Sequence, residues 1–216
     1  RSLKNSTQVE HGQEENDFRP LYENLIKDLS IRGLKVFHQN VKGLFSKFDA
    51  LNIFLQQTKK SIHVIGVTET HLNGSHVDTQ FKIEGYAIIR KDRASGQGGG
   101  VCAYIRDDMN WERRHDLEHK DIEGIWIELF IKRSKSLLIG FVYRPPDSSK
   151  HLSKDFNSSF AQVVSAASLE GKEVIVAGDL NANYLKSSEH KDLKDIFKVN
   201  GFKQLIDEPT RITKES

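Results

Sequence analysis

Asn40, Glu69, Tyr143, Asp179 and Asn181 stand at or just beyond the ends of four apolar runs, VFHQN, IGVTE, LLIGFVY and VIVAGDLN. Oxygen donors without thiols suit a hard cation such as Mg²⁺, or Mn²⁺ in its place, which takes one or two protein carboxylates and keeps waters and substrate phosphate oxygens. Glu69 and Asp179 are candidate carboxylates of that kind. Amides such as Asn40 and Asn181 can donate to phosphate oxygens without adding a repelling charge. The phenol of Tyr143 and the guanidinium of Arg144 offer further donors. Polar residues also mark where any strand leaves a core, so each position alone has a plain structural explanation. The coherence of the set argues for shared chemistry.

Elements must bring these residues together. Apolar strands are predicted at Leu34–Val41, Ile62–Thr68, Tyr86–Arg90, Val101–Ile105, Ile125–Ile131, Leu137–Tyr143 and Val174–Ala177. Amphipathic helices are predicted at Lys47–Lys60, Lys154–Ser168 and Ser188–Val199, with apolar residues at helical spacing on one face. Strands alternating with helices imply an α/β layered domain, and in open α/β sheets ligands gather outside the strand ends. The stretch SGQGGGVCAYI resembles a phosphate loop in composition, but a strand follows the glycines where a nucleotide site needs a helix. A turn into an antiparallel strand is the expectation there.

The chain of 216 residues suits one sizeable domain. Its apolar share of 37% is low, and residues 1 to 30, rich in Asn, Gln, Glu and Lys, read as a disordered tail with one weak helix at Leu21 to Leu29. Residues 31 to 216 form the predicted domain. With 32 basic and 30 acidic residues the net charge is only +2, so any claim on nucleic acid must rest on local clusters. The single cysteine, Cys102, excludes an internal disulfide framework and points to an intracellular setting. No apolar run is long enough for a membrane span, and no membrane association is expected.

HQNV, TETHL, GGGVCAYI, the YRPP of FVYRPP, GDLNAN and FKQLIDEPTRIT occur in this order. Together they resemble the endonuclease/exonuclease/phosphatase superfamily, and the endonuclease domain of non-LTR retrotransposons in particular, over about Leu34 to Thr213. The resemblance implies a four-layered α/β sandwich of the deoxyribonuclease and apurinic endonuclease type, with a Mg²⁺-dependent phosphodiesterase site on the sheet rim. It implies that Glu69 binds the metal, that Asn40 helps place metal or phosphate, and that Tyr143 stabilises the pentacovalent phosphate. Asp179 orients and deprotonates the attacking water, and Asn181 hydrogen-bonds the scissile phosphate. DNA is the implied partner, nicked to give a 3′-hydroxyl primer, with a reverse transcriptase domain beside it in a full-length element. A monomer in the nucleus is expected.

This sequence departs from the pattern at its end. The family closes on a Ser-Asp-His motif, and no Asp-His pair occurs before Ser216, so the last strands are expected to be missing and activity to be weak or absent. Lys42 stands where repair enzymes of the superfamily tend to carry an acid. The nine histidines, His38 and His71 among them, are read as surface or loop residues. A phosphatase acting on lipid or inositol phosphates, and a catalytically dead binding domain, are the alternative functions. Arg144 with the cluster Arg90, Lys91 and Arg93 is the candidate contact to phosphate or DNA; Arg113-Arg114 and Lys132 to Lys135 are lesser ones.

Overall fold

Residues 32–58, 61–186, 188–207 and 210 are described by a computed structural model. The chain divides into two units, Arg1–Leu34 and Lys35–Ser216. The tail and helix expected before residue 31, and most of the PTRIT ending, lie outside the described residues.

Two four-stranded sheets form the second unit. The first has the order β1-β2-β4-β3, with β1 at Val36–Asn40, β2 at Val64–Thr68, β3 at Tyr86–Lys91 and β4 at Val101–Arg106. The second has the order β5-β6-β7-β8, with β5 at Trp111–Arg113, β6 at Glu123–Leu129, β7 at Leu137–Tyr143 and β8 at Glu173–Asp179. Helix α1 (Leu44–Gln57) joins β1 to β2, and α2 (Phe156–Leu169) joins β7 to β8; α3 (Lys191–Val199) follows. Each crossover helix makes its flanking strands parallel neighbours, while every other pairing is antiparallel.

Each sheet therefore carries one β-α-β unit. Strands β2 and β7 are buried along their whole length, as continuous aliphatic runs require when both faces are covered. The sheets meet face to face, with Gly66 of β2 under the Phe141 ring of β7, where an added Cβ would lie 1.9 Å from the ring. On the outer face of the second sheet, Trp126, Leu138 and Val142 pack against Phe156, Phe160, Val163 and Val164 of α2 and Leu193 and Ile196 of α3. Helix α1 turns Leu44, Leu51, Phe54 and Leu55 inward, with Phe54 against Phe37 of β1. The layering is thus helix, sheet, sheet, helices.

Among the described residues no helix is long and apolar enough to cross a membrane. The strands and helices predicted between Leu34 and Val199 are present, and β5 is added to them.

Candidate active site

The two β-α-β units deliver the polar residues to one place. In the first sheet β1 ends at Asn40, with Thr68 as its Cα partner on β2, so Glu69 follows one residue later on the neighbouring strand. In the second sheet Tyr143 and Asp179 are themselves register partners at the ends of β7 and β8. Strands β1 and β8 lie against each other across the sandwich, which closes the gap between the two pairs. Both pairs sit at the carboxyl ends of parallel strands, where α/β sheets form their sites.

Asn40 links the halves. Its Nδ2 donates to Glu69 Oε1 at 2.7 Å and to Asp179 Oδ2 at 2.7 Å. Its Oδ1 accepts the backbone N–H of Lys42 at 3.1 Å. The structure thus turns the amide nitrogen, and not the oxygen expected for metal ligation, toward the carboxylates, because two acids at close range are relieved by a shared donor. Asp179 Oδ1 accepts from the backbone N–H of Asn181 at 2.9 Å, and Asn181 Nδ2 donates to the carbonyl of Arg144 at 2.9 Å. Asn181 is therefore fixed against the peptide that follows Tyr143.

The backbone that makes these turns is in sparsely populated territory. Lys42, Glu69, His71 and Asn181 all have positive φ, between 45° and 55°, on the segments leaving β1, β2 and β8. Such conformations cost energy in a non-glycine residue and persist where surrounding bonds over-determine them. Here Gly43 N–H donates to Glu69 O at 2.8 Å, Leu44 N–H to Thr70 O at 2.8 Å, and His71 N–H to Gly99 O at 2.9 Å.

Tyr143 is 5% exposed. Burial, and then the charge of Glu69 to which it hydrogen-bonds, push its phenol up to about 12. It is a proton donor at any ordinary pH. Sequence reasoning read His38 and His71 as surface or loop residues; the structure corrects this for His38 and bears it out for His71, which is an exposed loop residue. His38 lies within β1 with Nε2 3.1 Å from Thr68 Oγ1, and burial, opposed by the charge of Asp179, pulls it down to about 4, so it stays neutral. His71 does leave the sheet on a loop, but its Nε2 lies 3.5 Å from Glu69 Oε2. The TETHL spacing, two residues from the acid, was the only signal for it.

The basic residues assigned to DNA are held within the fold. Arg90 pairs with Asp78 at 3.3 Å and Asp92 at 3.1 Å; Lys91 donates to His119 O at 3.0 Å and lies 3.7 Å from Glu118. Arg93 pairs with Glu123 at 2.7 Å. Arg113 pairs with Glu118 at 2.7 Å, and Arg114 binds Glu128 at 2.6 Å and Glu170 at 2.5 Å. Arg144 turns to the other side of its sheet, pairing with Asp147 at 2.5 Å and covering the Phe156 ring at 5.6 Å. It lines a cleft there with Ser149, Ser153 and Lys154. Only the segment 131–135 among these clusters is exposed throughout.

Two acids, two amides and a phenol on one rim can hold a hard cation, orient a water and donate to a phosphate. Comparison with known proteins agrees in fold. The model of the endonuclease/exonuclease/phosphatase family matches residues 30–192. The structure is similar to the endonuclease domain of TRAS1, a telomere-specific non-LTR retrotransposon, with a TM-score of 0.61 at 13% identity, covering 85% of this chain and 80% of that one. It is similar to an AP endonuclease from Archaeoglobus fulgidus (TM-score 0.54, 15% identity, 77% and 71% covered). A 3′ phosphatase, NExo, from Neisseria bound to product DNA hairpin is another similar structure (TM-score 0.51, 11% identity, 76% and 71% covered). No curated protein matches the sequence.

Proposed function

Because the chain belongs to the endonuclease/exonuclease/phosphatase family, we propose that its rim is a divalent-metal-dependent phosphodiesterase site that nicks DNA to leave a 3′-hydroxyl, in the manner of a retrotransposon endonuclease. The observation that carries the reading is the single amide of Asn40 joining Glu69 to Asp179 at 2.7 Å each, although Asp179 lies 139 residues beyond Asn40 in the sequence. Carboxylates from two sheets have no packing reason to converge on a solvent-facing rim.

The donor set fits Mg²⁺. It offers carboxylate oxygen without thiolate, and among the described residues no cluster of three or more His, Cys, Asp or Glu competes as a metal cage. Glu69, supported by Asn40, would hold the ion, which when bound supplies positive charge against the phosphate oxygens. Asp179, tethered by Asn40 and by the Asn181 N–H, accepts the proton of the attacking water. Tyr143, protonated throughout the working range, donates toward the charge that develops on the phosphate. Asn181, whose Nδ2 gives one hydrogen to the Arg144 carbonyl at 2.9 Å, keeps its second amide hydrogen as a neutral donor.

DNA as the substrate is supported by the similar structures, one a retrotransposon endonuclease domain and one bound to product DNA hairpin. In this reading the chain acts as a monomer in the nucleus, and a reverse transcriptase domain uses the 3′-hydroxyl.

The test is nicking of supercoiled plasmid with Mg²⁺ or Mn²⁺, beside calorimetric titration of Mg²⁺ alone. Asp179→Asn is expected to abolish nicking while keeping metal affinity, and Glu69→Gln to weaken Mg²⁺ binding. Equal nicking by the parent and Asp179→Asn would sink the mechanism. Release of phosphate from monoesters without nicking would favour the phosphatase alternative.

A further inference from the structure

Tyr143 is held by an ion pair that the phosphodiesterase chemistry itself does not use. Glu123 opens β6 as the register partner of Tyr143 on β7, so the two residues stand side by side across the ladder. Arg93, on the segment after β3, reaches Glu123 with Nε at 2.8 Å from Oε1 and with its terminal nitrogen at 2.7 Å. Its guanidinium lies over the Tyr143 ring, 5.9 Å from the centroid, and its other arm donates to Gln97 O at 2.8 Å. Glu123 uses its second oxygen to accept the Gly100 N–H at 2.6 Å. The side chains of Arg93 and Glu123 are 9% and 18% exposed, so this is a desolvated pair with each partner satisfied.

The pair also grips the strand that carries Glu69. Gly99 O and Gly100 O accept from the backbone N–H groups of His71 and Thr70, at 2.9 and 3.2 Å. The glycine loop is thus tied to the Glu69 segment on one side and to Glu123 on the other. Gly99 has no room for a side chain: at φ +64° a Cβ would lie 2.3 Å from the Arg93 guanidinium and 2.4 Å from Glu123. At Gly99, in the stretch SGQGGGVCAYI, the ion pair fills the space a side chain would occupy.

We propose that Arg93 and Glu123 are a positioning pair that fixes the Tyr143 phenol against Glu69 through the Gly99-Gly100 loop, and that Arg93 makes no contact to DNA. The proposal rests on the phosphodiesterase reading for its effect on catalysis, and on geometry alone for its effect on Tyr143. The planar fork of arginine makes both bonds to Glu123 while stacking on the ring, which a lysine cannot do. A displacement of the order of 1 Å at a reacting group can cost about 10²-fold in rate.

Two readouts test it on the whole chain. In fluorotyrosine-labelled protein, which has five tyrosines, the Tyr143 signal is assigned by its loss in Tyr143→Phe. Arg93→Lys, Glu123→Gln and Gly99→Ala are each expected to shift or broaden that signal. In plasmid nicking the same variants are expected to lower kcat by about 10- to 100-fold with KM for DNA nearly unchanged. Arg93→Lys with Glu123→Gln together should be no worse than the worse single change, as for groups that act as a unit. Thermal melts check the fold, and if Glu123→Gln fails to fold, Arg93→Lys and Gly99→Ala still decide the matter. An unmoved Tyr143 signal overturns the proposal. So does a raised KM with a shallower salt dependence at full kcat, which would make Arg93 a phosphate contact. If the parent does not nick, the phosphodiesterase reading falls while the Tyr143 signal still settles the pair.

Discussion

Asn40 has no side-chain charge, yet it decides whether Glu69 and Asp179 can share a rim. Both carboxylates accept from the same Nδ2 at 2.7 Å, and the amide is held in turn by the Lys42 N–H. Asn40→Leu keeps the volume and removes the donor, leaving two acids facing each other. Nicking is expected to fall by about 10²-fold or more, and denaturant unfolding should show a loss of about 1–3 kcal/mol. The ends of the apolar runs made Asn40, Glu69, Tyr143 and Asp179 visible in the sequence, because a polar residue closing each of several strands is a local signal. What each one binds was not visible. Arg90 pairs with Asp92 and Asp78, Lys91 with Glu118 and Arg93 with Glu123, the last two acids lying 27 and 30 residues further on, so three neutralised cations looked like a basic patch.

Elements hold this arrangement through two different kinds of contact. Between the sheets the fit is steric, with Phe141 filling the space over Gly66. Gly66→Ala is expected to cost about 1–3 kcal/mol, and Phe141→Leu should recover part of that loss in a double-mutant cycle measured by denaturation. At the far end of the second sheet the fit is electrostatic. Arg114, Glu128, Glu170 and Lys172 join β6 to the segment between α2 and β8 within 3.0 Å. The Arg114 hydrogen bond holds Glu170 below the usual carboxylate range; burial raises Glu128, but Lys172, Ser136 and Arg114 outweigh it and leave it lowered as well. A carboxylate lowered in the folded state stabilises fully above its unfolded pKa and loses that contribution as pH falls through the folded value. Thermal melts of the parent should therefore drop as pH falls below about 4.5. Glu128→Gln should melt lower near neutrality and show a shallower drop. The short β5 escaped sequence reading because three residues, Trp111 to Arg113, show no alternation and owe their strand form to pairing with β6. The longer strands and helices were legible because periodicity survives in them.

At the scale of the molecule the charge is nearly balanced, +2 from 32 basic and 30 acidic residues, and Arg90, Lys91, Arg93, Arg113 and Arg114 are all engaged internally. Replacing Arg90 or Lys91 by Gln is expected to leave the salt dependence of DNA affinity unchanged, where loss of a true phosphate contact would reduce the log–log slope by about 1. Fluorescence anisotropy over a salt series measures this. The Asn40–Asp179 bond has a further consequence in time. Its partners are 139 residues apart, so at a synthesis rate of about 5–20 residues per second Asp179 is made roughly 7 to 30 s after Asn40. During translation β1, α1 and β2 can pair at once, since their contacts are local. The rim itself waits for β8, and until then the nascent chain carries Asn40 and Glu69 without the second carboxylate.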